Sequence, residues 1–247
     1  MIKILRNSDR LHVLRGKKQV WSTFSAKNNL VSQDGDFGFL LTFDELRLQP
    51  GGCTESHWDH ETEIVTYVYK GALSQEDTVG GSGVIHTGEF QRTSTGRRIR
   101  YKETSVSGTD SVHLFRMSLR PAQAGLDCSH EQRRFTEAQR HNLLCAVASP
   151  DKRKGSLLIH QDVFVYSAIL DPGHHLVYEV ALGRTVWLHM VCGEAVLKDN
   201  VLTQGDGVGA MNERSVSLTV QENTEVLLVD LGPTGQPPWE KLSSTKP

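Results

Sequence analysis

Thr66-Tyr-Val-Tyr-Lys-Gly71 is a short apolar run that ends at a glycine, and Gly88-Glu89 follows it along the chain. The second half repeats this order with Leu188-His-Met-Val-Cys-Gly193 and then Gly205-Asp206. Each copy has the order strand, tight glycine turn, strand, glycine–acid turn, strand, which is typical of a β-barrel built from hairpins. Because the pattern occurs once in each half, the sequence predicts two similar β-barrels.

Short apolar or alternating runs, rich in β-branched and aromatic residues, continue along the whole chain. They cover residues 37–43, 63–69, 112–119, 162–170, 185–191, 215–220 and 225–230. Helical periodicity is confined to residues 131–148, where a helical turn or two can form before Pro150. The sequence therefore predicts an all-β chain whose two barrels divide between residues 125 and 150.

Charge and cysteine usage exclude several classes of protein. The 247 residues contain 27 Lys and Arg against 29 Asp and Glu, a net charge of −2, which predicts no direct binding of nucleic acid. No apolar run approaches the roughly 20 residues of a membrane helix, and the start of the chain lacks an export signal, so we expect a cytoplasmic protein. The four cysteines form no Cys-x-x-Cys pair, so we expect reduced thiols rather than a zinc site.

Several motifs in matching order resemble the pirin family. They are Trp21-Ser-Thr-Phe-Ser25, Glu63-Ile-Val-Thr-Tyr-Val68, Thr87-Gly-Glu-Phe-Gln91, Glu131-Gln-Arg-Arg-Phe135, Ser149-Pro-Asp151, Gly155-Ser-Leu157 and His160-Gln-Asp162. The resemblance extends from about Leu14 to Leu231 and implies a bicupin, in which two cupin barrels follow one another. The expected N-terminal cupin, residues 1–128, holds the metal-site position. The expected C-terminal cupin, residues 129–247, has no metal site and ends in a tail rich in proline and glycine.

The resemblance also carries expectations about function. Pirin-family proteins hold a single metal ion, usually iron, in the N-terminal barrel. Some members oxidise quercetin as flavonol 2,3-dioxygenases, and others are transcriptional co-regulators in the nucleus. The resemblance therefore implies a metal-dependent oxidoreductase of the quercetin 2,3-dioxygenase type, with a small planar aromatic or flavonol substrate.

The metal ligands of the family form two pairs, and this chain has the family's residue at one position of each pair. A His-x-His pair upstream of the Glu-Ile strand aligns with His57 and Asp59, and a His-x-Glu pair after Ile-Arg aligns with Tyr101 and Glu103. Residues two apart on a strand point to the same side, so two such pairs can place four side chains inside one barrel. His57 and Glu103 match the family pattern, whereas Asp59 and Tyr101 depart from it.

These departures leave three interpretations open. In the first, the four residues bind a hard ion such as Fe(III), Mn(II) or another divalent metal, and Glu103 is the catalytic base that takes the substrate's hydroxyl proton. In the second, no metal is bound, the Tyr101 phenol donates to Glu103 or Asp59, and the protein is a binding or regulatory protein. In the third, the protein is a structural or stress protein. Flavonol dioxygenase activity is expected to be weak or absent because two imidazoles are lost.

The remaining histidines give no second site. His60 is three residues from His57 and is expected on the opposite face, at the surface. His113 alternates with apolar residues and is predicted to be a core or interface histidine. His174 and His175 have no matching His-x-Glu pair downstream, so the second barrel is predicted to be metal-free.

Overall fold

The computed structural model describes residues 1–24, 37–54 and 57–233, and for residues 57 and 58 it describes the backbone alone. The strands in these ranges are β1 Ile2–Leu5, β2 Leu11–Arg15, β3 Lys18–Ser22, β4 Leu40–Leu48, β5 His57–Asp59, β6 Glu63–Lys70, β7 Ala72–Asp77, β8 Ser82–His86, β9 Glu89–Ser94, β10 Ile99–Ser105, β11 Val112–Leu119, β12 Ser129–Arg134, β13 Cys145–Ser149, β14 Leu157–Leu158, β15 Val163–Leu170, β16 His175–Glu179, β17 Thr185–Cys192, β18 Glu194–Leu197, β19 Asn200–Thr203, β20 Gly207–Met211, β21 Ser215–Val220 and β22 Thr224–Leu231. A single short helix, α1, spans Glu137–Arg140 within the described part of the chain. Most of the predicted tail, residues 234–247, lies outside the described residues.

The strands form two sandwiches of the same size. In the first, a seven-stranded sheet of order β12-β9-β6-β11-β4-β3-β2 packs against a four-stranded sheet of order β5-β10-β7-β8. In the second, the orders are β1-β20-β17-β22-β15-β13-β14 and β16-β21-β18-β19. The predicted all-β fold with two barrels is confirmed, and the predicted helical segment contains α1 together with parts of two strands.

Two strands belong to the barrel that is formed mainly by the other half of the chain. β1, at the start of the chain, pairs antiparallel with β20 of the second barrel. β12, which lies after residue 128, pairs antiparallel with β9 of the first barrel. At these two strands, the position in the sequence does not tell which barrel the strand belongs to. The limits 1–128 and 129–247 for the two cupins stay a prediction.

Alternation along the strands separates the inside of each barrel from the interface between them. On β11, Leu114 belongs to the apolar interior of the first barrel, whereas Phe115 and Met117 belong to a large cluster that spans both barrels. Trp187 and Leu227 enter the same cluster from the second barrel. Since successive residues of a strand point to opposite faces, the large sheets pack back to back while their other faces enclose the two interiors.

The cysteines and the helix content agree with the sequence. All four cysteines are free thiols, as predicted, although each is exposed or half-buried and none is a fully buried core residue. Within the described ranges, no helix is long and apolar enough to span a membrane.

Candidate functional site

Two neighbouring strands of the first barrel, β5 and β10, carry the predicted ligand positions. They pair antiparallel, with Tyr101 opposite His57 and Ile99 opposite Asp59. Along β10 the exposed Arg100 alternates with the buried Tyr101, as expected for a strand that has one face toward the interior and one toward solvent. The side chain of His57 lies outside the described residues, so its role as a ligand stays a prediction.

Tyr101 and Asp59 contact each other directly. The Tyr101 hydroxyl donates a hydrogen bond to Asp59 Oδ2 over 2.9 Å. Burial raises the pKa of Tyr101, and the charges of Glu103 and Asp59 raise it further against the opposing charge of Arg116. Tyr101 is therefore a neutral phenol whose proton is directed at Asp59, rather than a phenolate.

Glu103, the predicted catalytic residue, forms a buried ion pair with Arg116 of β11. Arg116 Nη2 donates to Glu103 Oε1, and the two residues are 7% and 1% exposed. Burial alone would lower the pKa of Arg116, but the charge of Glu103 outweighs it and raises the pKa above its usual value. The guanidinium also lies 5.8 Å from the centre of the Tyr101 ring. A permanent cation thus occupies the side of Glu103 that faces the barrel interior.

Arg116 lies in a polar layer of the large sheet. Its neighbours across β4 and β6 are Asp44 and Thr66. Burial raises the pKa of Asp44, while a hydrogen bond from Ser22 and the charge of Arg116 act in the opposite direction. Arg116 thus has one carboxylate partner at hydrogen-bond distance in Glu103 and a second acidic side chain nearby.

The described donors do not fit a metal ion in this arrangement. No group of three or more His, Cys, Asp or Glu side chains in the described ranges converges as metal ligands. Asp59 Oδ2 accepts from Tyr101 and Glu103 Oε1 accepts from Arg116, which leaves Glu103 Oε2 as a buried oxygen without a hydrogen-bond partner among the described residues. A divalent cation at Glu103 would also lie beside a guanidinium, and the repulsion between two positive charges at short distance in a buried site is large.

Two histidine predictions are tested by the described structure. His60 is exposed, as predicted for a surface histidine. His113 is a buried interface histidine, which confirms the second prediction, and its Nε2 lies 2.8 Å from Glu45 Oε1. Glu45 also accepts a hydrogen bond from Arg10 Nη1 over 2.8 Å. These residues form an ion cluster between the barrels, apart from the predicted ligand positions.

The sequence reasoning missed Arg116 and the polar residues of β7. Arg116 lies two positions after Leu114 on the same strand, so its side chain faces the barrel interior. An arginine at an inward position was the signal available in the sequence. On β7, Gln75 lies opposite Glu103 and Asp77 lies opposite Tyr101. The polar interior therefore extends from the predicted ligand positions onto a neighbouring strand.

Comparisons with known proteins agree with this architecture. Residues 10–118 match the sequence profile of the Pirin family, and residues 146–231 match that of the quercetinase C-terminal cupin domain. The chain is 32% identical over 233 residues to the quercetin 2,3-dioxygenase of Escherichia coli K12, an alignment that covers 94% of this chain and 100% of that protein.

Two solved structures from Escherichia coli have the same fold. The structure of YhhW superposes with a TM-score of 0.87 at 32% identity and covers 94% of this chain and 98% of that one. The structure of the bacterial pirin YhhW in complex with nickel(II) superposes with a TM-score of 0.86 at 31% identity, covering 94% and 100%. With matching profiles in both halves and a relative that aligns along its whole length, this chain belongs to the pirin family of bicupins.

Proposed function

We propose that this chain is a pirin-family protein that binds a small ligand in its N-terminal barrel and acts as a binding or regulatory protein. Its flavonol dioxygenase activity is weak or absent relative to members that keep three histidines and a glutamate. The observation that carries the proposal is the buried ion pair between Arg116 and Glu103. In this proposal Arg116 supplies the positive charge that a metal ion supplies in other members of the family.

The charge balance of the site supports this proposal. A buried carboxylate needs a cation or several hydrogen bonds, since an isolated buried charge costs several kcal/mol or more. Glu103 obtains a cation and one hydrogen bond, at Oε1, from the Arg116 guanidinium, while its Oε2 has no hydrogen-bond partner among the described residues. The Tyr101 phenol donates a hydrogen bond to Asp59. A metal ion bound through the unpaired Oε2 of Glu103 would lie beside the buried Arg116 cation. Repulsion between the two positive charges lowers metal affinity.

A metal-dependent quercetin 2,3-dioxygenase-type oxidoreductase with altered ligands is the second candidate. It is supported by the similarity to the Escherichia coli quercetin 2,3-dioxygenase and by the nickel(II) bound to the similar pirin. In this candidate one divalent or ferric metal, iron by resemblance to the family, is bound by His57, Asp59, Tyr101 and Glu103, and the substrate is a small flavonol. Glu103 would act as the base through Oε2, because Oε1 accepts from Arg116.

Metal content and quercetin turnover distinguish the two candidates. The full chain is purified without chelators and without a metal-affinity step, and its metals are quantified by elemental analysis. Quercetin consumption is then followed by absorbance after incubation with Fe(II), Mn(II), Co(II), Ni(II) or Cu(II). We expect well below one metal ion per chain and turnover far below that of the Escherichia coli relative measured in parallel. Close to one metal ion per chain, with robust turnover, would overturn the proposal.

Three sets of substitutions test the role of Arg116 itself. Asp59→His with Tyr101→His restores the family's imidazoles but keeps Arg116, and we expect metal affinity to remain low. Adding Arg116→Gln to this pair removes the guanidinium from Glu103, and we expect metal affinity to rise by at least about tenfold. The matched control is Arg116→Gln alone. Equal affinity of the double and triple variants would show that Arg116 does not compete with a metal ion.

A further inference from the structure

A small cavity of the first barrel lies beside the predicted ligand positions, since its lining residues Gln75 and Asp77 are opposite Glu103 and Tyr101. Its volume is about 190 Å³. The lining comes from β7, the turn after it, β8, β9 and β12, and its polar side chains include Gln75, Asp77, Gln91, His130 and Gln132. Both sheets of the barrel therefore contribute to one polar cavity.

Most polar groups of the cavity are already paired with protein. Gln132 Nε2 donates to Val84 O over 2.9 Å and to Glu89 Oε2 over 2.8 Å. Gln91 Nε2 donates to Gln132 Oε1 over 3.2 Å, and the Thr93 hydroxyl lies 3.3 Å from Gln91 Oε1. These bonds fix the orientation of both amides, so they form a rigid wall of the cavity.

Gln75 opens onto the cavity with its side-chain amide. The residue is 7% exposed, its amide forms no hydrogen bond in the described part of the chain, and its amide atoms are not among the fully buried ones. A polar group enclosed in this way needs a partner, which here is water or a ligand in the cavity. The amide offers donors at Nε2 and an acceptor at Oε1 to whatever fills the cavity.

Asp77 and His130 set the charge of the opposite wall. Asp77 Oδ1 accepts from the backbone N–H groups of Val79 and Gly81, each over 2.8 Å, and Asp77 Oδ2 lies 2.7 Å from His130 Nε2. Thr93 Oγ1 lies 3.0 Å from His130 Nδ1, so both ring nitrogens are engaged. No lysine or arginine is among the described lining residues, and Asp77 Oδ2, although it has no hydrogen bond of good geometry in the described part of the chain, is buried and does not open onto the cavity. The lining therefore favours an uncharged ligand.

The backbone at Gly81 fits closely around this pair. A Cβ atom added at Gly81 would lie 2.3 Å from Asp77 Oδ2 and 2.9 Å from His130 Nε2. Both distances are far below van der Waals contact, so only glycine allows Asp77 and His130 to meet at this wall. The arrangement of Asp77 and His130 at this wall thus depends on the glycine at position 81.

The size and the free amide together define the ligand. Pockets for drug-sized molecules begin at roughly 300 Å³, so a cavity of about 190 Å³ holds a single ring rather than a three-ring flavonol. An amide edge forms two parallel hydrogen bonds with a planar group that has a donor beside an acceptor. We propose that this cavity binds a small, uncharged, planar ring with a donor and an acceptor on adjacent atoms, such as a lactam or a hydroxy ketone, through the side-chain amide of Gln75.

This inference rests on the proposed function, because it gives the ligand class for a binding protein whose cavity adjoins the predicted ligand positions. Binding of 2-pyridone and of 3-hydroxypyran-4-one to the full chain is measured by calorimetry in the presence of a chelator. We expect saturable 1:1 binding of both probes. N-methyl-2-pyridone and benzoate, neither of which has a donor, should bind at least about tenfold more weakly, since leaving the Gln75 amide oxygen unpaired costs about 1–3 kcal/mol.

Substitution tests the residue that carries the proposal. Gln75→Leu keeps the size of the side chain and removes the amide, so we expect a loss of at least about tenfold in affinity. Gly108→Ala is the matched control, because Gly108 lies outside the cavity lining and a Cβ there meets nothing within 4 Å. If Gln75→Leu folds poorly, the side-chain amide signals of Gln75 in the unaltered protein provide a second readout, since they should shift on titration with 2-pyridone.

The outcomes separate this inference from the proposed function. Absence of binding by both probes, equal binding of N-methyl-2-pyridone, or full affinity in Gln75→Leu would each overturn the ligand assignment. A protein that is metal-loaded and active on quercetin, but still binds 2-pyridone through Gln75 in the presence of a chelator, would overturn the proposed function alone. A metal-free, inactive protein that binds neither probe would overturn the ligand assignment alone.

Discussion

The two barrels have the same strand architecture but differ in what fills them. Each combines a seven-stranded and a four-stranded sheet. The interior of the second barrel is one continuous apolar cluster that includes Leu188, Val226 and Leu228. The interior of the first barrel holds two smaller apolar clusters, one around Leu114 and one of Ile64, Ile99 and Tyr101, with charged and amide side chains as further buried groups.

The central strand of each seven-stranded sheet shows this difference between a polar and an apolar interior. β11 and β22 are each the fourth strand of a seven-stranded sheet, and Arg116 and Leu228 are inward-facing residues on them. Both strands keep the alternation that the fold requires, so the fold itself does not demand a charge at this position. A buried ion pair is at best weakly stabilising compared with apolar residues of similar volume. The second barrel places its own buried carboxylate, Asp230, elsewhere on β22, where it pairs with Arg184, so the two barrels differ in where charge enters the interior.

The largest expected effect comes from breaking the ion pair of the first barrel. Arg116→Met should lower the free energy of unfolding by about 3–5 kcal/mol, because Glu103 remains as a buried charge without its partner. Chemical denaturation at pH 7 measures the change. Arg116→Met combined with Glu103→Gln removes both charges, and we expect it to recover most of the loss. A single variant as stable as the unaltered protein would show that Glu103 is not dependent on Arg116.

The corresponding substitution in the second barrel should act through packing alone. Leu228 is fully buried, and Leu228→Ala should cost about 2–4 kcal/mol through lost apolar burial and the cavity that remains. Val201→Ala, at an exposed position of the same barrel, is the control and should change stability by less than about 0.5 kcal/mol. If Leu228→Ala costs no more than this control, the second interior is not tightly packed and the contrast between the barrels fails.

A third comparison concerns the interface, where the barrels contribute different titratable groups. The first contributes Glu45 with its partners, whereas the second contributes His189, which is fully buried and has no hydrogen-bond partner among the described residues. Burial lowers the pKa of His189 well below its usual value, and the charge of Arg10 acts in the same direction. The folded protein therefore keeps this imidazole neutral at pH values where the unfolded chain protonates it.

The pH dependence of stability follows from this difference. Below the unfolded pKa of about 6.5 the unfolded chain binds a proton that the folded protein does not, so His189 should cost up to about 1.4 kcal/mol for each further pH unit. Urea denaturation between pH 7.5 and 5 measures the slope. His189→Leu should flatten it, and His175→Leu, at an exposed position, should not. An unchanged slope in His189→Leu would assign the dependence to other groups.

The sequence predicted the parts of this molecule that depend on local pattern. Alternation within single strands gave both barrels, and the spacing of Tyr101 and Glu103 gave a shared face of β10. The pairing of β1 with β20 was not predictable, because it joins opposite ends of the chain and no local pattern encodes it. The partner of Glu103 was missed for a related reason, since Arg116 reaches it from another sheet and only its inward register was visible in the sequence.

The smallest expected effect concerns α1, which lies between the two barrels. Thr136 begins this helix as its N-cap, with its hydroxyl accepting from Gln139 N while Gln139 Oε1 accepts from Thr136 N over 2.9 Å. The helix ends at Arg140, whose Nη1 donates to Glu225 Oε1 of the second barrel over 2.7 Å and to the hydroxyl of Tyr67 of the first over 3.1 Å. The cap therefore positions an arginine that bonds to both barrels.

Thr136→Ala should lower the free energy of unfolding by about 1 kcal/mol, the usual cost of losing a capping hydroxyl. Thr136→Ser keeps a hydroxyl at the same position and should be close to neutral, which makes it the matched control. Denaturation of the two variants side by side measures the difference. Equal stability of the two would mean that Glu225 and Tyr67 hold Arg140 in place without help from the cap.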